Sequence, residues 1–318
     1  MAFLLYGAKA NLGEHATDAA ALTALQGYGW DSVGDGTGTP QQGMHYYNTT
    51  DNVVRTYWNG AWFPADTFHL NIPIINNIVG QTCDVDLQRG RTANLVLRLS
   101  DGNRYIGTAP LPIDLAINGL GGLEASAFPD VNDTWYYVYA VPAAAAGEFD
   151  VVASDQDPST GPADYAAWYY IGPLRNATGV LLDQITDVHG CVSYKEAYVP
   201  AAAPSGAGAV AKASVSLADY VPPTADGVHA SHWIQHDATG GFTVFGYLYV
   251  DGEANEISLL QCADVFNSNA AHIFVPIPTL NQTIEYESAD DHPGDIVSDQ
   301  YLRITGYRDA YLSARRTD

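Results

Sequence analysis

The sequence predicts an all-β protein: two β-sandwich or jelly-roll-like domains preceded by an extended N-terminal region with a small β-meander. Three observations predict it. Tyr (21) and Gly (30) are abundant while only 15% of residues are charged, a balance that favours pleated sheets over helical bundles. Short runs of alternating apolar and polar residues recur, separated by Gly, Pro and Asp turns. At 318 residues the chain has length for about two domains of ~150 residues each. The expected division is an N-terminal region 1–70, a first β-domain 71–199, a linker 200–211 and a C-terminal β-domain 212–318.

Residues 1–43 are the least regular. Thr17 to Gly27 reads as a short helix with Thr17 as N-cap and Gly27 past its end. A turn-rich lead, Gly34 to Pro40, then runs into the meander. There, Thr49 to Asn52 separate two aromatic, β-branched runs, and Asn59-Gly60 punctuates the second before Trp62. Asn-Gly between such runs is a strong short-range hairpin signal. Three strands are predicted, 44–48, 53–58 and 61–63. Tyr46, Tyr47, Tyr57, Trp58 and Trp62 crowd onto them. So small a meander cannot bury five rings within itself, so these residues are the candidate interface.

The same stretch, "G-x-x-Y-Y-N-T-T-x-N-x-x-R-x-Y-x-N-G-x-W", resembles a segment of fibre and other virion proteins of tailed bacteriophages, over residues 33–64. His45 stands where that pattern has a plain β-former. The resemblance implies a virion structural protein of fibre, head-fibre or decoration type, made in the host cytoplasm. Its N-terminal region would dock to the particle, and its β-domains would project, in a role that includes host attachment. Implied partners are sister copies in a homotrimer, other virion proteins and a host surface glycan.

From about Asn71 the strand period takes over. Leu95, Leu97 and Leu99 share one face, and Asp101-Gly102 turns the chain into Arg104 to Gly107. Pro112 and the glycines at 119, 121 and 122 leave only one short strand in 111–123. Trp135 to Val141 is apolar on both faces, as a central strand buried on each side should be. Phe149 to Ala153 and Tyr165 to Ile171 follow, with Gly179 to Val188 and Cys191 to Tyr194 expected to close that sheet. The series "D-T-W-Y-Y-V-Y-A-V … A-A-W-Y-Y-I-G-P-L-R" also resembles a β-domain of phage structural proteins, over residues 80–196.

Small residues from Pro200 to Val210 mark the boundary. Beyond it, Val228, Ala230, His232 and Ile234 share a face, and Phe242 to Val250 ends at Asp251-Gly252. Further strands are expected at 257–260, 272–277, 283–286 and 301–307, a sandwich-sized count. The ending "F-V-P-I-P-T-L-N-Q-T-I-E-Y … L-R-I-T-G-Y" is similar to C-terminal β-domains of phage fibre and head-fibre proteins.

Charge excludes some functions. A net charge of −23 repels nucleic acid and anionic membranes, so neither nucleic-acid binding nor membrane insertion is expected. No apolar run approaches the ~18 residues that span a bilayer, and no secretory signal pattern opens the sequence. Cys83, Cys191 and Cys262 are widely spaced and odd in number, which predicts buried free thiols rather than disulfides.

No catalytic set, cofactor or metal is expected. His229-x-x-His232-x-x-x-His236 lacks the further ligands of a zinc site, and on a strand His229 would face away from His232 and His236. Asp251 to Glu256, Asp84-x-Asp86 and Asp155-x-Asp157 lack the ligand series of a calcium loop. Asp290 to Asp295 reads as a solvated loop. Gly-x-Ser-x-Gly is missing, and Cys191 near His189 has no orienting third group. A non-enzymatic role is expected. The alternative is a carbohydrate-binding or glycan-cleaving tail protein, since a carboxylate pair alone suffices for glycoside hydrolysis. Trp233, Phe245, Tyr247 and Tyr249 fall on alternate positions, suited to stacking on sugars or to contact between copies. The latter is preferred because a small sandwich already has an inner face to fill.

Overall fold

A computed structural model describes residues 11–15, 45–48, 53–58, 61–64, 73–87, 94–108, 110–186, 190–200, 208–236, 243–253, 256–263, 268–277, 282–290 and 297–314, with backbone alone for the strands within 11–64. The expected helix 17–27 and loop 290–295 lie outside them, save Asp290 itself. All-β architecture is borne out: the described residues form 22 strands and one helix of five residues. No helix among them is long and apolar enough to cross a membrane.

The meander forms as the turn chemistry predicts. Strands β1 (Asn11–His15), β2 (His45–Asn48), β3 (Val53–Trp58) and β4 (Ala61–Pro64) make one sheet in that order. Trp58 pairs with Ala61, the register that a two-residue connection demands. β1 adds in parallel to β2, which nothing in the sequence signals. The five candidate interface rings, Tyr46, Tyr47, Tyr57, Trp58 and Trp62, sit on these strands; where the rings point lies outside what the structure describes.

The next strands pack as two layers. β5 (Pro73–Val79), β6 (Thr82–Leu87) and β9 (Leu111–Asp114) form one sheet, and β7 (Asn94–Arg98) pairs with β8 (Arg104–Thr108). The facing sheet runs β11 (Phe149–Ser154), β10 (Thr134–Pro142), β12 (Tyr169–Ala177), β13 (Val180–Leu181). Ile75, Val85, Leu95, Leu97, Ile113, Tyr136, Val138 and Val151 fill the space between. The Leu95/Leu97/Leu99 face is buried as its period predicts. Gly107 lies under the Phe149 ring, 2.5 Å from where a Cβ would stand, so a larger residue there displaces the ring.

β10 is central, and both of its faces are buried. Tyr136, Val138 and Ala140 enter the two-layer core. Tyr137, Tyr139 and Val141 enter a second cluster with Val152 and Tyr170, covered by Trp168 and Leu312. The expected strand 165–171 starts later, at Tyr169, because Tyr165 and Trp168 are spent on that cover. The Tyr139 hydroxyl donates to the Gln156 carbonyl at 2.7 Å.

The remaining strands make a second sandwich. One sheet is ordered β14 (Gln184–Thr186), β15 (Cys191–Tyr198), β22 (Val297–Asp309), β17 (Ala225–His236), β20 (Ser268–Pro276). The other is β16 (Val210–Ser216), β21 (Thr283–Asp290), β18 (Thr243–Val250), β19 (Glu256–Ala263). Helix α1 (Ala310–Ala314) ends the described chain. Here the sequence expectation needs correction. Residues 191–194 do not close the first sheet; Cys191, Val192 and Ser193 pair with Arg308, Tyr307 and Gly306 of β22. The small-residue run at 200–210 therefore comes after two strands that already belong to the second sandwich.

Polar groups tie the halves together. Buried Asp309 accepts from Tyr170 Oη (2.8 Å) and Thr224 Oγ1 (2.7 Å), and its second oxygen takes the Leu312 N–H (3.0 Å). Burial raises the Asp309 carboxyl against the lowering effect of those donors. Arg175 pairs with Asp219 at 3.0 Å, and Trp135 Nε1 donates to the Ala218 carbonyl at 2.9 Å.

Candidate functional site

The outward faces of the second sandwich carry two groups of aromatic side chains. Along β18, Val244, Gly246 and Leu248 point into the core, which leaves Phe245, Tyr247 and Tyr249 on the outer side. Their rings run near-parallel, Phe245 to Tyr247 at 6.1 Å and 24° and Tyr247 to Tyr249 at 6.2 Å and 27°. Cross-strand pairing puts Tyr247 between Glu287 of β21 and Leu259 of β19, and Phe245 between Ala289 and Gln261. Leu259 is 49% exposed and Ile257 41%. β19 ends its sheet, so this half-apolar face runs to an edge.

Electrostatics pin one end of the ladder. Lys212 Nζ lies 4.0 Å from the Tyr249 ring centre and 2.9 Å from Glu285 Oε2. Tyr249 donates its hydroxyl to Glu287 at 2.8 Å, and burial followed by that carboxylate raises its phenol. Tyr249 is thereby fixed, while Tyr247 and Phe245 present the freer rings.

The opposite outer face holds a different group. Trp233 stacks on Tyr301 at 5.2 Å and 14°, and the Arg303 guanidinium sits 4.2 Å from the Tyr301 ring. His229 packs on Phe274 at 5.2 Å. Arg308 lies 4.7 Å over Phe274, held by Asp226 at 2.7 and 3.0 Å. The sequence groups Trp233 with the β18 rings, but they lie on different sheets, on opposite sides of the sandwich.

The histidine trio separates. His229 faces outward; His232 is wholly buried, edge-on to Tyr286 at 5.0 Å and 83°, with neither ring nitrogen hydrogen-bonded. The side chain of His236 lies outside the described residues. Gly246 makes room for the imidazole: His232 Nε2 sits 2.6 Å from where a Cβ would stand. Burial depresses the imidazole to about 4, so it stays neutral near pH 7. Among the described residues no three His, Cys, Asp or Glu side chains come close enough to hold a metal ion.

Asp84 and Asp86 lie on β6, Asp155 and Asp157 in the loop after β11, and Asp251 in the turn after β18. Cys83 is a free buried thiol pushed up to about 12 by burial, and Cys191 is half-buried. The Cys262 side chain lies outside the described residues. Glu124, fully buried, accepts from Ser154 Oγ and the Asp164 N–H, both at 2.5 Å, and holds the covering loop in place.

No family model matches the chain, and no curated protein matches it. Solved structures give distant likenesses. One is the structure of infectious bursal disease virus Gx strain, at 9% identity over 83% of this chain and 63% of that one, TM-score 0.21. Another is the N-terminal CBM22-1-CBM22-2 tandem domain of Paenibacillus barcinonensis Xyn10C, at 11% identity over 73% and 91%, TM-score 0.21. A third is SGBP-B from a complex xyloglucan utilization locus in Bacteroides uniformis, at 10% identity over 80% and 77%, TM-score 0.18. The chain thus spans less than two thirds of the first. At such TM-scores the likenesses carry no argument about what this chain does.

Proposed function

We propose that this chain is a structural, adhesive protein of a tailed-phage particle, with no catalytic role. Its N-terminal region docks to the particle, and its two sandwiches project as a fibre, spike or capsid decoration. The observation that carries the reading is the outward ladder of Phe245 and Tyr247 running into exposed Leu259 and Ile257 at a sheet edge. A face of that composition gains by covering itself with another protein surface. Further support is the phage-type pattern at 33–64, whose strand segments pair as a meander. Sister copies in a closed trimer are the partner the reading favours, because cyclic symmetry hides self-complementary patches.

Mass measurement on the purified chain tests it. The expected result is a trimer that Phe245→Ser with Tyr247→Ser converts to monomer without loss of folded signal. A stable wild-type monomer overturns the trimer. Removing residues 1–64 is expected to abolish incorporation into particles while leaving both sandwiches folded; a truncated chain that is still incorporated overturns the docking role.

A further inference from the structure

On the outer face of the sheet that runs β14, β15, β22, β17, β20, two arginines rest on aromatic rings, and only one of them holds a carboxylate. Arg308, over Phe274, is gripped by both oxygens of Asp226 at 2.7 and 3.0 Å. Arg303 lies 4.2 Å from the Tyr301 ring centre, and Trp233 stacks on that ring at 5.2 Å and 14°. Among the described residues no acid pairs with Arg303; Asp299, on the same strand, accepts the Gln300 N–H. Lys195 and Lys212, the lysines described in this sandwich, hold Asp183 and Glu285. The chain has 36 acidic and 13 basic residues. An arginine left without a carboxylate while its neighbours hold theirs points to one supplied from outside.

Strand register lays out the ground around Arg303. Ser231 of β17 pairs with Arg303 on one side and with His272 on the other. Ser231 is buried while both flanking residues are exposed, so the face dips between them. Neighbouring strands lie ~4.8 Å apart, which sets Arg303 and His272 roughly 10 Å apart across the dip. The stacked pair of Trp233 and Tyr301 bounds it at one end, and His229 packed on Phe274 bounds it at the other.

A guanidinium fork matches a carboxylate through two parallel hydrogen bonds. Its seat on the Tyr301 ring restricts the side chain before any ligand arrives, which lowers the cost of binding. His272 adds an imidazole N–H donor. Alternate side chains of an extended segment stand ~7 Å apart on one face. One carboxylate can thus meet Arg303 and the next His272, whereas a single small anion reaches only one of them. We propose that this face seats an extended acidic segment of a partner protein, with carboxylates at alternate positions. The face lies on the opposite side of the sandwich from the β18 ladder, and the proposal does not rest on the trimer reading.

Nitrogen–proton correlation NMR of the full chain tests it, read at the Trp233 indole N–H and the Arg303 Nε–H. Salt at about 0.15 M screens the general negative field beyond the nearest contacts. The probe is a blocked Gly-Glu-Gly-Glu-Gly peptide, with its Gln counterpart and inorganic phosphate as comparison arms. The Glu peptide is expected to shift both signals to saturation, and the other two to leave them in place. Arg303→Gln should weaken binding at least tenfold, read at Trp233, and His272→Gln severalfold. Both positions are exposed, so both variants should keep the wild-type urea midpoint. Arg98→Gln, which makes the same change of net charge on the first sandwich, should leave binding unchanged. Oligomeric mass should be that of wild type in Arg303→Gln; a lower mass would make a sister copy the occupant and overturn the assignment to a partner protein. The proposal also fails if the Glu peptide shifts neither signal, if the Gln peptide or phosphate shifts them as much, or if Arg98→Gln weakens binding as much as Arg303→Gln.

Discussion

Strands β10 and β18 are written in the same vocabulary, Trp135-Tyr-Tyr-Val-Tyr-Ala-Val141 against Val244-Phe-Gly-Tyr-Leu-Tyr249, and end in opposite environments. β10 is roofed on both sides: the two-layer core takes Tyr136, and the loop before β12 with the C-terminal helix covers Tyr137 and Tyr139. β18 is roofed once: on its outer side Phe245 and Tyr247 stay half-buried, and Tyr249 alone is closed over, beneath Lys212. The difference arises from the segments that pack over each strand, not from the strand itself. Aromatic strands are closed in where loops fold back over them and stay partly accessible where nothing does.

Substitutions can break that contrast. The largest effect is expected at Tyr139→Ala, which empties a fully buried site beside Trp168 and Tyr170 and should cost about 3–5 kcal/mol in urea unfolding. If Tyr247→Ala costs as much, the two strands do not differ in this way.

Next is Asp309→Ala, which strips the shared acceptor from Tyr170 and Thr224 and should cost roughly 3 kcal/mol. Asp309→Asn, which keeps an acceptor, should cost clearly less. Equal losses would mean that the carboxylate does not hold the halves together.

Acid should act through His232. Its folded pKa lies below its unfolded value of 6.5, so the unfolded chain binds the proton first. Stability is therefore complete above pH 6.5 and declines towards pH 4, by roughly 3 kcal/mol. Asp309 runs the other way: its raised carboxyl contributes most at low pH and less as pH rises through its folded pKa. Chemical denaturation at about pH 7 and about pH 4.5, on either side of the ordinary histidine value, isolates the histidine when wild type is set against His232→Leu. A slope unchanged by the substitution would refute its role.

The smallest effect on stability is expected at Tyr247→Ala, within about 1 kcal/mol. Its consequence should appear in the mass of the assembly instead, which size-exclusion with light scattering reads.

Local chemistry by itself determined much of this molecule. Trp58 pairs with Ala61 as the Asn-Gly between them predicts, and Asp101-Gly102 turns the chain because Gly102 takes the positive φ that the reversal needs. Leu95, Leu97 and Leu99, and Val228 to Ile234, declared their buried faces because strand side chains alternate. Period and turn type are properties of neighbours along the chain, so they are legible there.

Only the tertiary structure decided the rest. It gave β14 and β15 to β22 rather than to the nearer sheet, sent His232 into the gap above Gly246 while His229 turned outward, and set Trp233 and the β18 rings on opposite sides. It also introduced a slip in pairing between β15 and β22, strands that lie far apart in the sequence. Each of these rests on which distant segment arrives alongside, and no local run of residues encodes its partner.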